Sequence, residues 1–312
     1  MKKKLILLIL LLAATLAYLF FNQKSTNYTF YHWKQEYKVK GVKQPRYIKI
    51  LDIAYEGKTT IHKTNFINTP THKLVPVIYL DNPVLRHENS KKLAQKLFNI
   101  LKSYKLNYDE IQVDCDWTKQ TKEAYFSFLK ELKKCSKKQL SATIRLHQVK
   151  YFKRTGVPPV DTGVLMYYNM SNFKKLKTKN YILDLDLAKQ YHYNFEEYPL
   201  PLNLALPLYA QATLIRFEEV VGIIEGLRKR NLNKNFKALK ENHYVVIKTH
   251  YLNGRLLYKD DVIRLDAVTV DDLKQAVKNL KEVMKQPEEI IFYRWGNKDF
   301  YDEKDLKDIT HW

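Results

Sequence analysis

Ile111-Gln112-Val113-Asp114-Cys115-Asp116-Trp117-Thr118 is the stretch on which the fold turns. It reads as a strand with carboxylates at alternate positions, so Asp114 and Asp116 share one face while Ile111, Val113 and Cys115 take the other. An amphipathic helical pattern follows at once, the order expected of a parallel sheet with helices packed on it. If that sheet closes on itself, both carboxylates point into the lumen near the C-terminal mouth, where such folds place their chemistry.

Working outward, strand and helix patterns alternate along most of the chain. The expected strands are Thr29–Trp33, Tyr47–Ala54, Leu74–Leu80, Glu110–Trp117, Leu140–His147, Gly163–Asn169, Leu202–Leu208 and Glu289–Trp295. Eight is the number a closed barrel needs, so the expected class is α/β, a (β/α)8 TIM-type barrel over residues 25–312. Ser90–Tyr104, Thr121–Lys134 and Val270–Lys285 carry apolar residues at helical spacing. The connections Thr59–His72 and Lys150–Asp161 do not, so an irregular barrel is expected. Between the seventh and eighth strands the pattern breaks over about residues 212–267, as expected of a small α+β insertion. There Phe217–Arg230 reads as a helix, and Tyr244–His250 and Leu256–Leu265 as strands turning through Asn253-Gly254.

The chain has 312 residues, 45% of them hydrophobic, and a formal net charge of +21. The excess is mostly lysine in scattered pairs such as Lys91-Lys92 and Lys137-Lys138, a pattern of solvated surfaces. No arginine-rich arm, zinc-finger spacing or RNP-type aromatic strand accompanies it, so no nucleic-acid partner is expected. Cys115 and Cys135 fall at opposite ends of a strand-helix unit, which disfavours a disulfide, and two cysteines cannot build a metal cage. No compact metal-ligand or cofactor motif is present, and none is expected to be used.

Lys2, Lys3 and Lys4 precede an uncharged apolar run, Leu5–Phe21. This is the layout of a signal peptide or signal anchor, with the lysines on the cytoplasmic side. No cysteine follows the run directly, which excludes a lipoprotein signal, and no good small-x-small cleavage site ends it. An uncleaved membrane anchor over residues 1–24 with an extracytoplasmic barrel is expected, a cleaved and secreted form being the alternative.

The fifth strand repeats the alternation of the fourth. Ser141, Thr143, Arg145 and His147 share one parity, which in a barrel sets Arg145 and His147 beside Asp114 and Asp116. A self-satisfied ion-pair network is the structural alternative for Arg145 with Asp114. The other strand ends bring Trp33, Asp52, Asp81, Trp117, Tyr168, Asn169, Tyr209, Arg294 and Trp295 to the same rim. Aromatic faces stack on the C–H faces of sugar rings, while carboxylates and amides take the hydroxyls, so a glycan is the expected partner.

Asp114-Cys115-Asp116-Trp117-Thr118 resembles the fourth-strand motif of chitinase-type glycoside hydrolases, and Met166-Tyr167-Tyr168-Asn169 resembles their sixth-strand motif. The resemblance aligns Asp114 and Asp116 with the second and third family aspartates, and implies that Trp295 floors a sugar subsite. Thr118 stands at the position of the proton-donating glutamate, Asn169 replaces the sixth-strand aspartate and Ile111 replaces the first aspartate. A threonine hydroxyl is no acid near neutral pH, so the usual substrate-assisted mechanism is not implied; Thr118 suits the N-cap of the next helix instead. The mature chain is also similar to a group of uncharacterised glycosidase-like barrels of bacterial envelopes, through Val113–Thr118, Leu140–Gln148 and Gly156–Asp161.

Four functions stay open on these grounds, the most distant being a metal-dependent hydrolase in which Asp114, Asp116 and His147 would ligate an ion. A glycoside-hydrolase-like enzyme would use Asp114 and Asp116, tuned by Arg145 and His147, with Asp52 or Asp81 as a second carboxylate. A non-catalytic carbohydrate-binding barrel would keep the groove without the acid. A basic envelope scaffold would dock through its lysines.

Overall fold

A computed structural model describes residues 26–41 and 43–312. The apolar run Leu5–Phe21 lies outside them. Among the described residues, no helix is long and apolar enough to cross a membrane.

Eight parallel strands close into a barrel: β1 (Asn27–His32), β2 (Tyr47–Tyr55), β3 (Val75–Leu80), β4 (Glu110–Asp114), β5 (Gln139–Arg145), β6 (Thr162–Met166), β7 (Leu202–Pro207) and β8 (Glu289–Tyr293). Closure runs through β1, whose first half pairs with β8 from Asn27↔Glu289 to Phe30↔Phe292. Its end pairs with β2 at Tyr31↔Tyr47 and His32↔Ile48. The β2–β3 register shifts between Lys49 and Leu51, a bulge at Ile50. Above it, the antiparallel strand Thr59–Lys63 takes the outer edge of β2.

Apolar residues of opposite parity fill the space between barrel and helices. Helix α1 (Ser90–Ser103) buries Leu93, Ala94, Leu97 and Leu101, and the Asn89 side chain caps it by accepting from the Lys92 N–H. Helix α2 (Lys122–Ser136) buries Tyr125, Phe128, Leu129 and Leu132. Helix α3 (Val270–Lys281) is held at its start by a Thr269/Asp272 capping box. The connections after β1 and β2 carry no helix: the first holds the short strand Glu36–Tyr37, and the second the strands Thr59–Lys63 and Asn65–Phe66. The irregularity expected of the barrel lies there.

The insertion after β7 is a five-stranded antiparallel sheet, ordered 219–225, 211–216, 262–266, 243–246, 236–240. Asn253-Gly254 turns the small hairpin His250–Leu252/Arg255–Leu257, both residues at positive φ. The helix expected over Phe217–Arg230 is instead the strand Glu219–Glu225. Val220, Val221, Ile223 and Ile224 are β-branched, and Phe217 and Glu218 form a tight turn at positive φ. A Cβ on Gly222 would sit 1.8 Å from the Arg255 guanidinium, so glycine lets that side chain cross the strand.

A buried ion pair within the added sheet also helps fasten it to the loop after β6. Arg264 and Asp266 are both fully buried, with Nε 3.0 Å from Oδ1. The Arg264 guanidinium also donates to the carbonyls of Lys175 and Phe173, and Asp266 accepts from the Tyr181 N–H. The loop after β6 is thereby tied to the added sheet.

Candidate functional site

The lumen is polar along its axis. Near the bottom, Arg46 donates to Glu289 at 2.8 Å and lies 3.8 Å from Glu110. Above that, Tyr31 donates to Gln112 at 2.7 Å and Gln112 to Ser141 at 3.4 Å. These bonds pair the Arg46, Gln112 and Ser141 side chains of the floor and leave the chemistry to the upper layer.

At the mouth, Asp114 ends β4 with only 9% exposure, and Thr143 on β5 donates to its Oδ1 at 2.7 Å. Burial pushes the Asp114 carboxyl up to about 6; the Thr143 hydrogen bond opposes this, Asp116 adds to it, and Arg145 and Lys49 oppose it. Asp116, just beyond β4, is exposed, and Arg145 grips it from β5, Nε to Oδ1 and Nη2 to Oδ2, both 2.8 Å. The Arg145 guanidinium is held firmly protonated by that pair, against its burial. Across the opening, Lys49 and Asp52 form an ion pair at 2.6 Å. Those two are an odd number of residues apart, and the bulge at Ile50 is what turns them to one face.

Aromatic rings complete the wall. Trp33, half-buried, lies 5.7 Å from Tyr293 and 6.2 Å from Tyr79 between ring centroids, with the Lys49 ammonium 5.3 Å from its own ring. Tyr168 stacks on Tyr293 at 5.4 Å, and Tyr209 stands edge-on to Tyr293 at 5.6 Å. The Tyr209 hydroxyl donates to Asn169, which holds a left-handed turn after β6. The Tyr79 phenol is pushed above its ordinary range by burial first and then by the negative charge of Asp114, Asp81, Asp116 and Asp52. Asp81 makes no side-chain hydrogen bond or ion pair among the described residues.

The mouth thus brings together Trp33, Asp52, Asp81, Asp114, Asp116, Arg145, Tyr168, Asn169 and Tyr209. Three expected members fall elsewhere. Trp117 is 6% exposed and packs behind β4 on Tyr125 and Phe126 of α2, because the odd parity it shares with Cys115 faces the helices. Trp295 lies against Phe30, an outward residue of β1, at 5.1 Å. The strand ends at Tyr293 and residues 295–300 wind into a 3-10 helix, so strand alternation does not extend to Trp295. His147 sits exposed on the short helix Leu146–Lys150, since β5 stops at Arg145, whose N–H bonds to Gln148 Oε1. Its imidazole is held below the usual range by partial desolvation, then by Arg145. Arg294 stays on the rim but reaches away to Glu225 at 3.1 Å.

Thr118 does not cap α2. The capping position is Thr121, and the Thr118 N–H donates to the Thr121 hydroxyl in the turn before the helix. Tyr79 and Tyr293 are mouth residues that the sequence reading passed over. Each shares parity with lumen neighbours, Val77 and Ile291, and that signal was available. Cys115 and Cys135 are both free thiols. No group of three or more His, Cys, Asp or Glu poised for a metal occurs among the described residues.

No protein-family model matches the chain, and no curated protein sequence does. Solved structures share its fold. The Bacillus cereus spore cortex-lytic enzyme SleL superposes with a TM-score of 0.57 at 12% identity, covering 93% of this chain and 75% of that one. The Ostrinia furnacalis Group II chitinase catalytic domain 2 gives 0.53 at 12% identity, over 92% and 96% of the two chains. A mutant of that domain in complex with the chitooligosaccharide (NAG)5 gives 0.52 at 12%, also over 92% and 96%.

Proposed function

We propose that the protein is an extracytoplasmic, glycoside-hydrolase-like barrel that engages a glycan at its C-terminal mouth. The observation that carries this reading is the shared wall of half-buried Trp33, Tyr79 and Tyr293 beside Asp52, Asp81, Asp114 and Asp116. Sugar C–H faces pack on such rings while carboxylates accept from hydroxyls. The fold shared with a chitinase domain solved with a chitooligosaccharide adds support.

One observation favours hydrolysis as well as binding. Asp114, with Oδ1 fixed by Thr143 and its acidity moved to about 6, is suited to give a proton to a leaving glycosidic oxygen. Asp52 or Asp81 then supplies the second carboxylate. Asp116 is spent on Arg145, and Thr118 has no acidic proton to give.

The test is to incubate the full-length protein with chitopentaose and measure binding by calorimetry and cleavage by reducing-end release. Release that Asp114→Asn abolishes while binding persists establishes the enzyme. Binding without release establishes a binding barrel. Absence of both, across chitin-like and envelope glycans, overturns the reading.

The run Leu5–Phe21 acts, in the same reading, as a membrane anchor. Thr26, the first described residue, bonds to the Thr310 carbonyl at 3.3 Å beside the start of β1, the end of the barrel opposite the mouth. A tether leaving there turns the mouth away from the bilayer. Release from membranes by detergent and not by high salt is the expected result; release by salt alone contradicts it.

A further inference from the structure

A groove of about 490 Å³ opens beside the mouth, lined by His32, Trp33, Lys34, Lys40, Arg294 and Trp295 among others. Trp33 belongs to both places, because its ring also meets Tyr79 and Tyr293 in the mouth. The charges of the two compartments are opposite. The mouth holds Asp52, Asp81, Asp114 and Asp116 against Lys49 and Arg145, whereas the groove holds Lys34, Lys38, Lys40 and Arg294 against Glu36 alone.

Two of the four groove cations are already paired, Lys38 with Glu36 and Arg294 with Glu225, each at 3.1 Å. Lys34 and Lys40 make no ion pair or hydrogen bond among the described residues. A second polar group there is unspent: His32 is 5% exposed, and its Nδ1 finds no hydrogen-bond partner. Burial, and then Lys34, hold that imidazole neutral, with its pKa lowered to about 4. An anionic group entering the mouth would meet four carboxylates. One placed past Trp33 would meet the unpaired ammonium groups of Lys34 and Lys40, with the buried His32 ring behind them.

We propose that this groove is a subsite for an anionic group, carboxylate or phosphate, borne on the glycan, so that the ligand is an acidic sugar chain that crosses Trp33 from mouth to groove. This rests on the glycan reading above. Trp33 and Trp295 both line the groove, the Lys298 ammonium lies 4.8 Å from the Trp295 ring, and the net charge of +21 favours approach of such a polymer.

The test compares three ligands of one backbone on the full-length protein: chitopentaose, O-carboxymethyl chitopentaose and 6-O-phospho chitopentaose. Binding is measured at low and high salt, for the native chain, for Lys34→Gln/Lys40→Gln, and for Lys130→Gln/Lys134→Gln on exposed α2 positions. The expected result is that at least one anionic form binds about tenfold tighter than the neutral one at low salt. The groove pair of substitutions erases that advantage without changing neutral binding, and the α2 pair leaves it in place. Gain for the carboxymethyl or the phospho form alone identifies the anion. Equal binding of all three ligands, or equal loss from both pairs of substitutions, overturns the subsite while the glycan reading stands. If none of the three binds, the subsite is overturned, and the glycan reading falls with it once envelope glycans also fail to bind.

Discussion

Arg145 closes on both carboxylate oxygens of Asp116, each nitrogen–oxygen distance being 2.8 Å, and so commits that residue to orientation rather than proton transfer. The same guanidinium also lowers the pKa of Asp114, against the effect of burial. Arg145→Gln is therefore expected to move the Asp114 carboxyl above about 6, since a favourable cation is lost and Asp116 is left uncompensated. A carboxyl-carbon NMR titration reads this directly; an unchanged midpoint contradicts it. Because Asp116 is 64% exposed, the stability loss is expected to stay under about 1 kcal/mol.

Asp114 ties stability to pH. Its folded value of about 6 exceeds the unfolded 3.8, so the native state binds the proton more tightly. Stability from this group is full below about pH 4, falls as pH rises to about 6, and is flat above. A shift near two units corresponds to about 3 kcal/mol between the plateaus. Asp114→Asn removes that slope while keeping an acceptor for Thr143. Urea denaturation of both proteins at pH 4 and pH 7 measures it, and equal pH dependence in the two would refute the assignment.

Two tryptophans separate folding from recognition. Trp117 fills the space between β4 and α2, so Trp117→Ala is expected to cost about 3–5 kcal/mol and to leave glycan affinity of the folded fraction unchanged. Trp33→Ala is expected to weaken glycan binding at least tenfold with a smaller stability loss, its ring being half-buried at the rim. Calorimetry and chemical denaturation on the same samples decide it; reversed effects would mean the mouth is misassigned.

The insertion depends on Arg264. Replacing it with Met leaves Asp266 buried without its cation and frees the Lys175 and Phe173 carbonyls, an expected cost of about 3–5 kcal/mol. Hydrogen exchange should rise first in residues 172–181 and in the added sheet, with β1–β8 retaining protection. Uniform loss of protection throughout the barrel would show that the insertion is not a separable unit.

The barrel was legible because lumen parity is written plainly in Asp114/Asp116 and in Ser141/Thr143/Arg145, each strand followed by turn or helix signals. The same rule misled wherever a strand ended sooner than its apolar pattern. Continued alternation places His147 and Trp295 at the mouth, but the chain abandons it at Arg145 and Tyr293. Lys49 was hidden by the bulge at Ile50, which reverses parity within one strand and leaves no mark in the sequence. Phe217–Arg230 shows the third failure, since a hairpin strand with a glycine at its centre carries too little periodicity to exclude a helix.

The most direct measurement is a 15N-indole NMR titration with chitopentaose, because the four tryptophans, Trp33, Trp117, Trp295 and Trp312, give four resolvable reporters. The account predicts that Trp33 shifts or broadens first while Trp117, buried behind β4, does not move. A ligand that perturbs Trp312 or Trp117 and leaves Trp33 untouched would contradict it.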